Sequence, residues 1–198
     1  MQAEFTELKS YHWESLPPYR PRTFFKIGVC DDSLKAILKC YEKEPKTVFT
    51  KRDEPIYKDS CLELFVAPID ERKEYINIEC NSKGAFLSEF GSERNDRRLV
   101  STVTTISPTV EPFFSEDVNG SYWGVEITLS KEFIAELYSV DISEITFNSI
   151  KANFYKCGDN TLFPHYAVWK HIDTDVVKEP DFHRVDFFGD IDILNNET

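Results

Sequence analysis

The chain has 198 residues and a formal net charge of -12, since 35 acidic residues outnumber 23 basic ones. This charge argues against binding to nucleic acid or to anionic membranes, because affinity for phosphates comes largely from Lys and Arg. No apolar run approaches the ~20 residues that a membrane-spanning helix needs. Aromatic residues make up 14% of the chain, so we predict a soluble globular protein, with residues 1–198 forming one domain.

The first predicted elements are an extended segment and a hairpin. Residues 11–22 include three prolines and cannot form a helix, so we expect an extended strap along a sheet edge. Residues 23–29 alternate between apolar and polar positions, Asp31 and Asp32 suggest a turn, and residues 34–41 alternate again. This pattern is typical of a β-hairpin.

Two strongly alternating runs follow, at residues 57–68 and 75–81, and we regard the first as the organising strand of the fold. Side chains alternate between the two faces of a strand, so each run has one aliphatic face. The second face carries rings, carboxylates and amides, which suit a polyhydroxylated ligand. The residues predicted on this second face include Glu63, Tyr75, Asn77, Glu79 and Asn81.

The rest of the chain reads as further strands and one helix. We predict strands over residues 85–90, 99–106, 122–129, 145–156 and a closing strand over 185–193, with a solvated loop over 91–98. Ser130 is a candidate cap for the helix, whose apolar stripe contains Phe133, Ile134 and Leu137. About ten short strands and one short helix predict an all-β fold, a two-sheet antiparallel β-sandwich.

Several kinds of reactive site receive little support. Glu63 and Glu79 are candidates for the carboxylate pair of a glycoside hydrolase, but two such residues on adjacent strands more simply contact solvent or a ligand. We therefore expect no enzymatic activity. Five cysteines occur without a CxxC pair, which favours reduced, mostly buried thiols. The four histidines form no zinc motif, and no cofactor is predicted with certainty.

Calcium is the metal that the composition leaves open, as a structural ion bound by oxygen ligands. No dozen-residue calcium loop is present, so such a site would have to be assembled from distant loops. The available acidic residues include Asp31, Asp32, Asp173, Asp175, Asp190 and Asp192.

Aromatic side chains are the more promising binding groups. Rings stack on the C–H patches of sugars, while amides, carboxylates and cationic groups bond to the hydroxyls. Tyr57, Tyr155 and Trp169 are predicted at strand ends or in loops, whereas Trp123 falls on an inward strand face and is predicted to be core.

Four blocks in the chain resemble the carbohydrate-binding module family 9-like domains, which belong to the DOMON-like group of β-sandwiches. The blocks are YKDSCLELFVAP at 57–68, YINIECNSKG at 75–84, ANFYKCGD at 152–159, and Trp169 with PDFH at 180–183 and FG at 188–189. The resemblance spans about Trp13 to Ile193. It implies a two-sheet sandwich that binds sugars, often at chain ends, between aromatic rings and polar groups.

The resemblance also implies a set of ligand-binding residues. Glu63 matches the acidic strand position, Tyr57 an aromatic platform, and Trp169 a second ring. Lys156 stands where many relatives have Arg, and Lys lacks Arg's planar fork of donors. The complete set of candidates comprises Tyr57, Glu63, Arg94, Arg98, Asn153, Tyr155, Lys156 and Trp169.

The sequence therefore predicts non-catalytic binding of a mono- or oligosaccharide, linked to carbohydrate catabolism. Two alternatives stay open: a haem-binding or electron-transfer domain, and an interaction domain that has lost the sugar pocket. The single methionine, Met1, is the only Met available as a haem ligand. Without a recognisable signal peptide we expect a cytoplasmic protein, or an extracellular one if such a peptide has been removed. The oligomeric state is left open.

Overall fold

The computed structural model of the chain describes residues 4–14 and 17–193. Within them lie thirteen strands, one α-helix and four short 3-10 turns. The strands are β1 (Thr6–Glu7), β2 (Ser10–Tyr11), β3 (Thr23–Cys30), β4 (Ser33–Cys40), β5 (Cys61–Ala67), β6 (Tyr75–Asn81), β7 (Phe86–Gly91), β8 (Arg98–Leu99), β9 (Thr109–Asp117), β10 (Gly120–Ser130), β11 (Ser149–Cys157), β12 (Tyr166–Val168) and β13 (Gly189–Asp192). The helix α1 is Lys131–Tyr138, and the 3-10 turns are Ile56–Lys58, Val100–Thr102, Ile142–Glu144 and Val185–Phe187.

The strands form two antiparallel sheets. The smaller sheet has the order β1-β3-β4-β10-β9, and the larger has the order β2-β12-β11-β5-β6-β7-β8. Strand β13 pairs with the first part of β11, residues 149–152, and β12 pairs with the last part, residues 155–157. The predicted two-sheet antiparallel β-sandwich with one short helix is therefore confirmed.

The main core lies between the two sheets. The aliphatic faces of β5 and β6 meet the inward faces of β3, β4 and β10, and α1 adds its apolar residues at one end. Phe25 and Phe154 stack across this core with their ring centroids 3.6 Å apart. Trp123 is fully buried, as predicted.

The smaller sheet contains two hairpins with short turns, and the first confirms the turn predicted at Asp31 and Asp32. Cys30 pairs with Ser33, so Asp31 and Asp32 form a two-residue turn with φ angles of 49° and 57°. Positive φ at both central residues is the signature of a type I′ turn, whose twist matches that of the strands. In the second hairpin Asp117 pairs with Gly120, which has a φ of 117°.

Some predicted boundaries are wrong. Residues 99–106 do not form a strand, because β8 ends at Leu99 and the chain turns so that Val100 is fully buried. Residues 185–187 form a 3-10 turn, and the closing strand begins at Gly189. The sequence prediction missed β9, which contains Pro112; proline is tolerated there because β9 is an edge strand.

Helix α1 follows its predicted capping. The backbone N–H of Phe133 donates to the Ser130 hydroxyl at 3.1 Å. The helix ends at Ser139, a left-handed residue with a φ of 54°. Within the described residues, no helix has the length and hydropathy that spanning a membrane requires.

The second face of the larger sheet is covered, which corrects the expectation that it offers its polar residues openly. Every residue of β5 and β6 is buried, and Glu63 and Glu79 are only 2% and 3% exposed. Parts of the segments 42–60 and 158–188 lie over this face and form a second core with it, as shown by the burial of Ile56, Ile172 and Phe182 against it. Any ligand site on this face must therefore lie between the sheet and these segments.

Candidate functional site

A pocket lies between the covered face of the larger sheet and the segments above it. Its cavity volume is about 180 Å³, which is below the range of roughly 300 to 1,000 Å³ for drug-sized ligand sites. The floor consists of side chains from four adjacent strands, because alternate residues of paired strands share one face. The floor residues are Glu63, Glu79, Leu87, Glu89 and Cys157, and the wall residues are Tyr57, Arg94, Arg97, Asp159, Tyr166, Pro180, Asp181, Phe182 and His183.

Two carboxylates stand side by side on this floor. Glu63 and Glu79 are directly opposite each other in the register of β5 and β6. Burial raises the pKa of Glu63 to about 7, and burial together with the neighbouring Glu63 raises the pKa of Glu79 well above its ordinary value.

Glu79 has one oxygen that the described residues leave without a hydrogen-bond partner. Its Oε1 accepts a hydrogen bond from Asn77 Nδ2 at 3.0 Å, but its buried Oε2 has none. Leaving a buried polar atom unpaired costs about 1 to 3 kcal/mol, so this oxygen is available to form a hydrogen bond with a ligand hydroxyl.

Two arginines form the cationic wall. Arg97 Nη1 donates to Asn77 Oδ1 at 3.1 Å and pairs with the Glu89 carboxylate. Arg94 Nη1 donates to Asp181 Oδ1 at 3.0 Å. The segment 91–98, expected to be a solvated loop, thus connects the sheet to the loop at 180–183.

The loop at 180–183 is held in place by aromatic contacts. Phe182 stacks on Tyr155 with ring centroids 4.1 Å apart, and the Tyr155 hydroxyl donates to the Phe182 carbonyl at 3.2 Å. His183 Nδ1 lies 2.9 Å from the Tyr75 hydroxyl. Burial and the guanidinium groups of Arg97 and Arg94 lower the pKa of His183, so its ring is neutral at neutral pH.

Three of the eight sequence-predicted residues, Tyr57, Glu63 and Arg94, line this pocket. Tyr57 lies in the 3-10 turn before β5 and is 36% exposed, which leaves its ring accessible at the wall. The structure therefore brings together one ring, one carboxylate and one guanidinium from the predicted set.

Two other predicted residues share the pocket's face of the sheet but lie behind its lining. Tyr155 is buried beneath Phe182. Asn153 is fully buried, and its amide donates to the carbonyls of Lys170 and Phe187 at 3.1 and 3.2 Å. Asn153 therefore anchors the covering segments to the sheet.

The remaining three predicted residues lie away from the pocket, on the opposite face of the larger sheet. Lys156 alternates with Tyr155 and Cys157, so it shares the face of Phe154. Trp169 packs edge-on against Phe25 and Phe154. Arg98 pairs in register with Phe90, and that face of β7 is turned toward the main core.

Several pocket residues were missed by the sequence prediction, namely Arg97, Asp159, Tyr166, Phe182 and His183. Asp159, Phe182 and His183 fall within the blocks that carry the family resemblance, which is the signal that could have identified them. The near-continuous apolar composition of β5 was a second signal, because strands buried on both faces have such a composition.

The aspartates considered as calcium ligands lie in three separate regions, and the methionine considered as a haem ligand is not among the described residues. The six aspartates considered for calcium lie in the β3–β4 turn, in the loop after β12 and on β13, so calcium binding stays a prediction. Met1 lies outside the described residues. Among the described residues, a group of potential metal ligands with atoms within 4.8 Å of one another comprises Cys61, Glu63 and Cys157.

Comparisons with known proteins agree with this architecture. The family model described as "Carbohydrate-binding family 9" matches residues 1–193. No curated protein sequence matches the chain.

Two solved structures share the fold. A crystal structure of "a putative carbohydrate-binding protein from Bacteroides uniformis ATCC 8492" is 25% identical, with a TM-score of 0.77 over 97% of this chain and 87% of that chain. A carbohydrate-binding module family 9 from Caldicellulosiruptor kristjanssonii, in complex with glucose, is 13% identical, with a TM-score of 0.51 over 98% of this chain and 86% of that chain. Because the family model covers nearly the whole sequence, the chain belongs to carbohydrate-binding family 9.

Proposed function

We propose that this chain binds a mono- or oligosaccharide, without cleaving it, in the pocket on the covered face of the larger sheet. The observation that supports this most is the lining: the accessible ring of Tyr57 stands beside buried acceptors and two guanidinium groups. Sugars need these groups together, since rings stack on their C–H faces and charged groups bond to their hydroxyls.

The shape of the pocket favours the end of a saccharide chain. Its floor is a buried sheet, so a ligand enters from the mouth and meets Glu63 and Glu79 at the bottom. A terminal sugar ring fits this arrangement, whereas an interior ring would need an exit for the chain on both sides. Because the Caldicellulosiruptor kristjanssonii module is described in complex with glucose, glucose and its disaccharides are the first ligands to test.

Binding without hydrolysis is consistent with the position of the two carboxylates. A glycoside hydrolase places an acid and a base or nucleophile on either side of the scissile bond. Glu63 and Glu79 instead project side by side from adjacent strands of one floor, and the Cys157 thiol donates to Glu63 at 2.8 Å. Both carboxylates therefore serve as hydrogen-bonding groups in this proposal.

The test is calorimetric titration of the protein with a panel of mono- and disaccharides, for the wild type and two variants. Tyr57→Ala removes the accessible ring, and we expect it to weaken binding by roughly 5- to 50-fold, as the loss of a stacking contact does. Phe114→Ala is the matched control, because Phe114 is an exposed ring (67%) on β9, in the other sheet.

Saccharide binding that is weakened in Tyr57→Ala and unchanged in Phe114→Ala would support the proposal. Absence of binding across the panel, or equal affinity in Tyr57→Ala, would contradict it and favour an interaction domain. Incubation of each bound disaccharide with the protein should release no monosaccharide, which chromatography of the mixture checks.

A further inference from the structure

One corner of the pocket floor contains two thiols and a carboxylate within bonding range of a common centre. The ligand atoms of Cys61, Glu63 and Cys157 all lie within 4.8 Å of one another. The three residues are 0%, 2% and 2% exposed, so solvent reaches these atoms only through the pocket. Such a group differs from the exposed acidic clusters that are common on protein surfaces.

The strand pairing holds these three side chains together. Cys61 on β5 is the register partner of Cys157 on β11, so the two thiols project from neighbouring positions on the same face. Glu63 follows Cys61 by two residues and therefore points the same way. Because both strands lie inside the sheet, paired on each side, the backbone presents the three groups with little freedom to separate.

The positive charge that acts on this group is that of Lys156, whose side chain lies on the other face of the sheet. Among the described residues, no ion pair joins Glu63 to a Lys or Arg side chain, and Glu79, with its unpaired Oε2, is the cross-strand neighbour of Glu63.

We propose that Cys61, Glu63 and Cys157 form a binding site for a divalent transition-metal ion of the Zn²⁺ type. Two thiolates and one carboxylate are ligands that Zn²⁺ accepts, whereas Ca²⁺ and Mg²⁺ take oxygen ligands. Bonds of about 2.3 Å to sulfur and about 2.0 to 2.2 Å to oxygen place ligand atoms roughly 3.5 to 3.8 Å apart around a tetrahedral ion. The three ligand atoms lie within 4.8 Å of one another, and the pair formed by Cys157 Sγ and Glu63 Oε1, now 2.8 Å apart and hydrogen-bonded, would have to separate by less than about 1 Å to bind the ion.

The ion would keep one coordination position directed at the pocket. Glu63 and Cys157 both line the pocket, so water or a ligand hydroxyl can reach the fourth position. A water bound there can donate a hydrogen bond toward Glu79, whose Oε2 is otherwise unpaired. Metal binding releases the two thiol protons to solvent, because thiolates are the binding form.

The experiment is a Zn²⁺ titration of freshly reduced, chelator-treated protein in competition with a chromophoric chelator. A parallel titration with Co²⁺ reports thiolate coordination through its charge-transfer absorption in the near ultraviolet. The variants are Cys157→Ala and Glu63→Gln. The matched control is Cys80→Ala, since Cys80 is also fully buried in the same sheet but faces the main core.

We expect one equivalent of Zn²⁺ to bind to the wild type and to Cys80→Ala, with the cobalt–thiolate band present in both. Cys157→Ala should bind at least about tenfold more weakly and lose most of the band, since even residues outside the ligand shell cost 10- to 100-fold in affinity when changed. Glu63→Gln should weaken binding while leaving a thiolate band.

Circular dichroism establishes that each variant is folded before it is titrated. If Cys157→Ala does not fold, the Zn²⁺ affinities of Glu63→Gln and the wild type still test the proposed site. The proposal is overturned if the reduced wild type binds no Zn²⁺ at micromolar concentrations, or if Glu63→Gln or Cys157→Ala binds as tightly as the wild type. Because no saccharide is present, this outcome is independent of the sugar titration.

Discussion

Lys156 is a fully buried cation on the core side of β11. Its Nζ donates to Ser60 Oγ at 2.9 Å and to the Cys157 carbonyl at 3.0 Å, and it lies 3.6 Å from a carboxylate oxygen of Glu42. Burying a charge is tolerable only when such partners surround it. Lys156 therefore joins β11 to the segments on either side of it, and its side chain does not reach the pocket.

His165 completes the surroundings of Lys156 and has a defined protonation state. Its Nε2 lies 2.6 Å from Lys156 Nζ, and its Nδ1 lies 2.8 Å from the Phe163 carbonyl. An ammonium can only donate a hydrogen bond, so Nε2 is the acceptor. The ring proton is therefore on Nδ1, and this N–H donates a hydrogen bond to the Phe163 carbonyl. Burial and the charge of Lys156 lower the pKa of His165 from 6.5 to about 4.

This shift predicts a loss of stability in acid. An unfolded histidine takes up a proton near pH 6.5, but the native His165 resists protonation until about pH 4. The unfolded state therefore binds more protons in this window, and the free energy of unfolding falls as the pH drops through it. His165→Gln keeps an acceptor for Lys156 and should show a shallower decline between pH 6.5 and pH 4.

Urea unfolding of both proteins at several pH values measures the two slopes. The quantity to compare is the slope of the free energy of unfolding against pH. Lost packing in the variant lowers its stability equally at all pH values and therefore leaves this slope unchanged. Parallel curves for the wild type and His165→Gln would show that the assigned protonation state is wrong.

At the scale of single elements, β5 organises the larger sheet. It pairs with β6 on one side and β11 on the other, and each of its faces enters a different core. The odd-numbered residues Cys61, Glu63 and Phe65 face the pocket side, and the even-numbered Leu62 and Leu64 face the sandwich interior. A one-residue shift in its register would exchange these two sets.

Helix α1 allows a test of the capping that its sequence predicts. Ser130 accepts a hydrogen bond from the Phe133 backbone, so Ser130→Ala should lower the free energy of unfolding by about 1 kcal/mol. Ser139→Gly should raise it by a few tenths of a kcal/mol or leave it unchanged, because glycine adopts the left-handed conformation without strain. Urea denaturation at neutral pH measures both. An equal loss in the two variants would contradict these roles.

At the scale of the whole molecule, the larger sheet is shared between two cores. The main core joins the two sheets, whereas the second core is formed by the covering segments 42–60 and 158–188. The second core also forms the wall of the pocket, through Phe182 and its neighbours. The proposed saccharide site therefore couples stability to ligand binding on one side of the sheet only.

That asymmetry predicts different outcomes for two phenylalanines of similar burial. Phe182 is 8% exposed in the second core and Phe90 is 5% exposed in the main core. Each Phe→Ala change should lower the free energy of unfolding by about 3 kcal/mol. We expect Phe182→Ala to weaken saccharide binding at least tenfold as well, because the wall loses its anchor on Tyr155.

Phe90→Ala should retain the wild-type affinity for saccharide in the fraction that stays folded. Thermal unfolding measures the stability of both variants. Calorimetric titration below their unfolding temperatures measures the saccharide affinity of each, and the two measurements together distinguish the two cases. The coupling is refuted if both variants bind saccharide equally well or equally poorly.

The sequence by itself determined the β-sandwich class, the organising strand, the capped helix and the family. The family was indicated by the resemblance of four sequence blocks, and the other features depend on local rules: side chains alternate along a strand, Ser130 at the end of β10 caps the helix, and Asp31 and Asp32 accept positive φ. They are therefore readable from neighbouring residues alone. The same alternation placed Glu63 and Glu79 on one face correctly.

Only the tertiary structure decided which face of each strand meets the pocket. Local periodicity separates Tyr155 from Lys156 but does not say which face the distant segment 158–188 will cover. For the same reason Trp169 was predicted beside Tyr57 but lies on the opposite side of the sheet. The pairing of Cys61 with Cys157, 96 residues apart in the chain, likewise arises from strand register, which depends on the packing of the whole sheet.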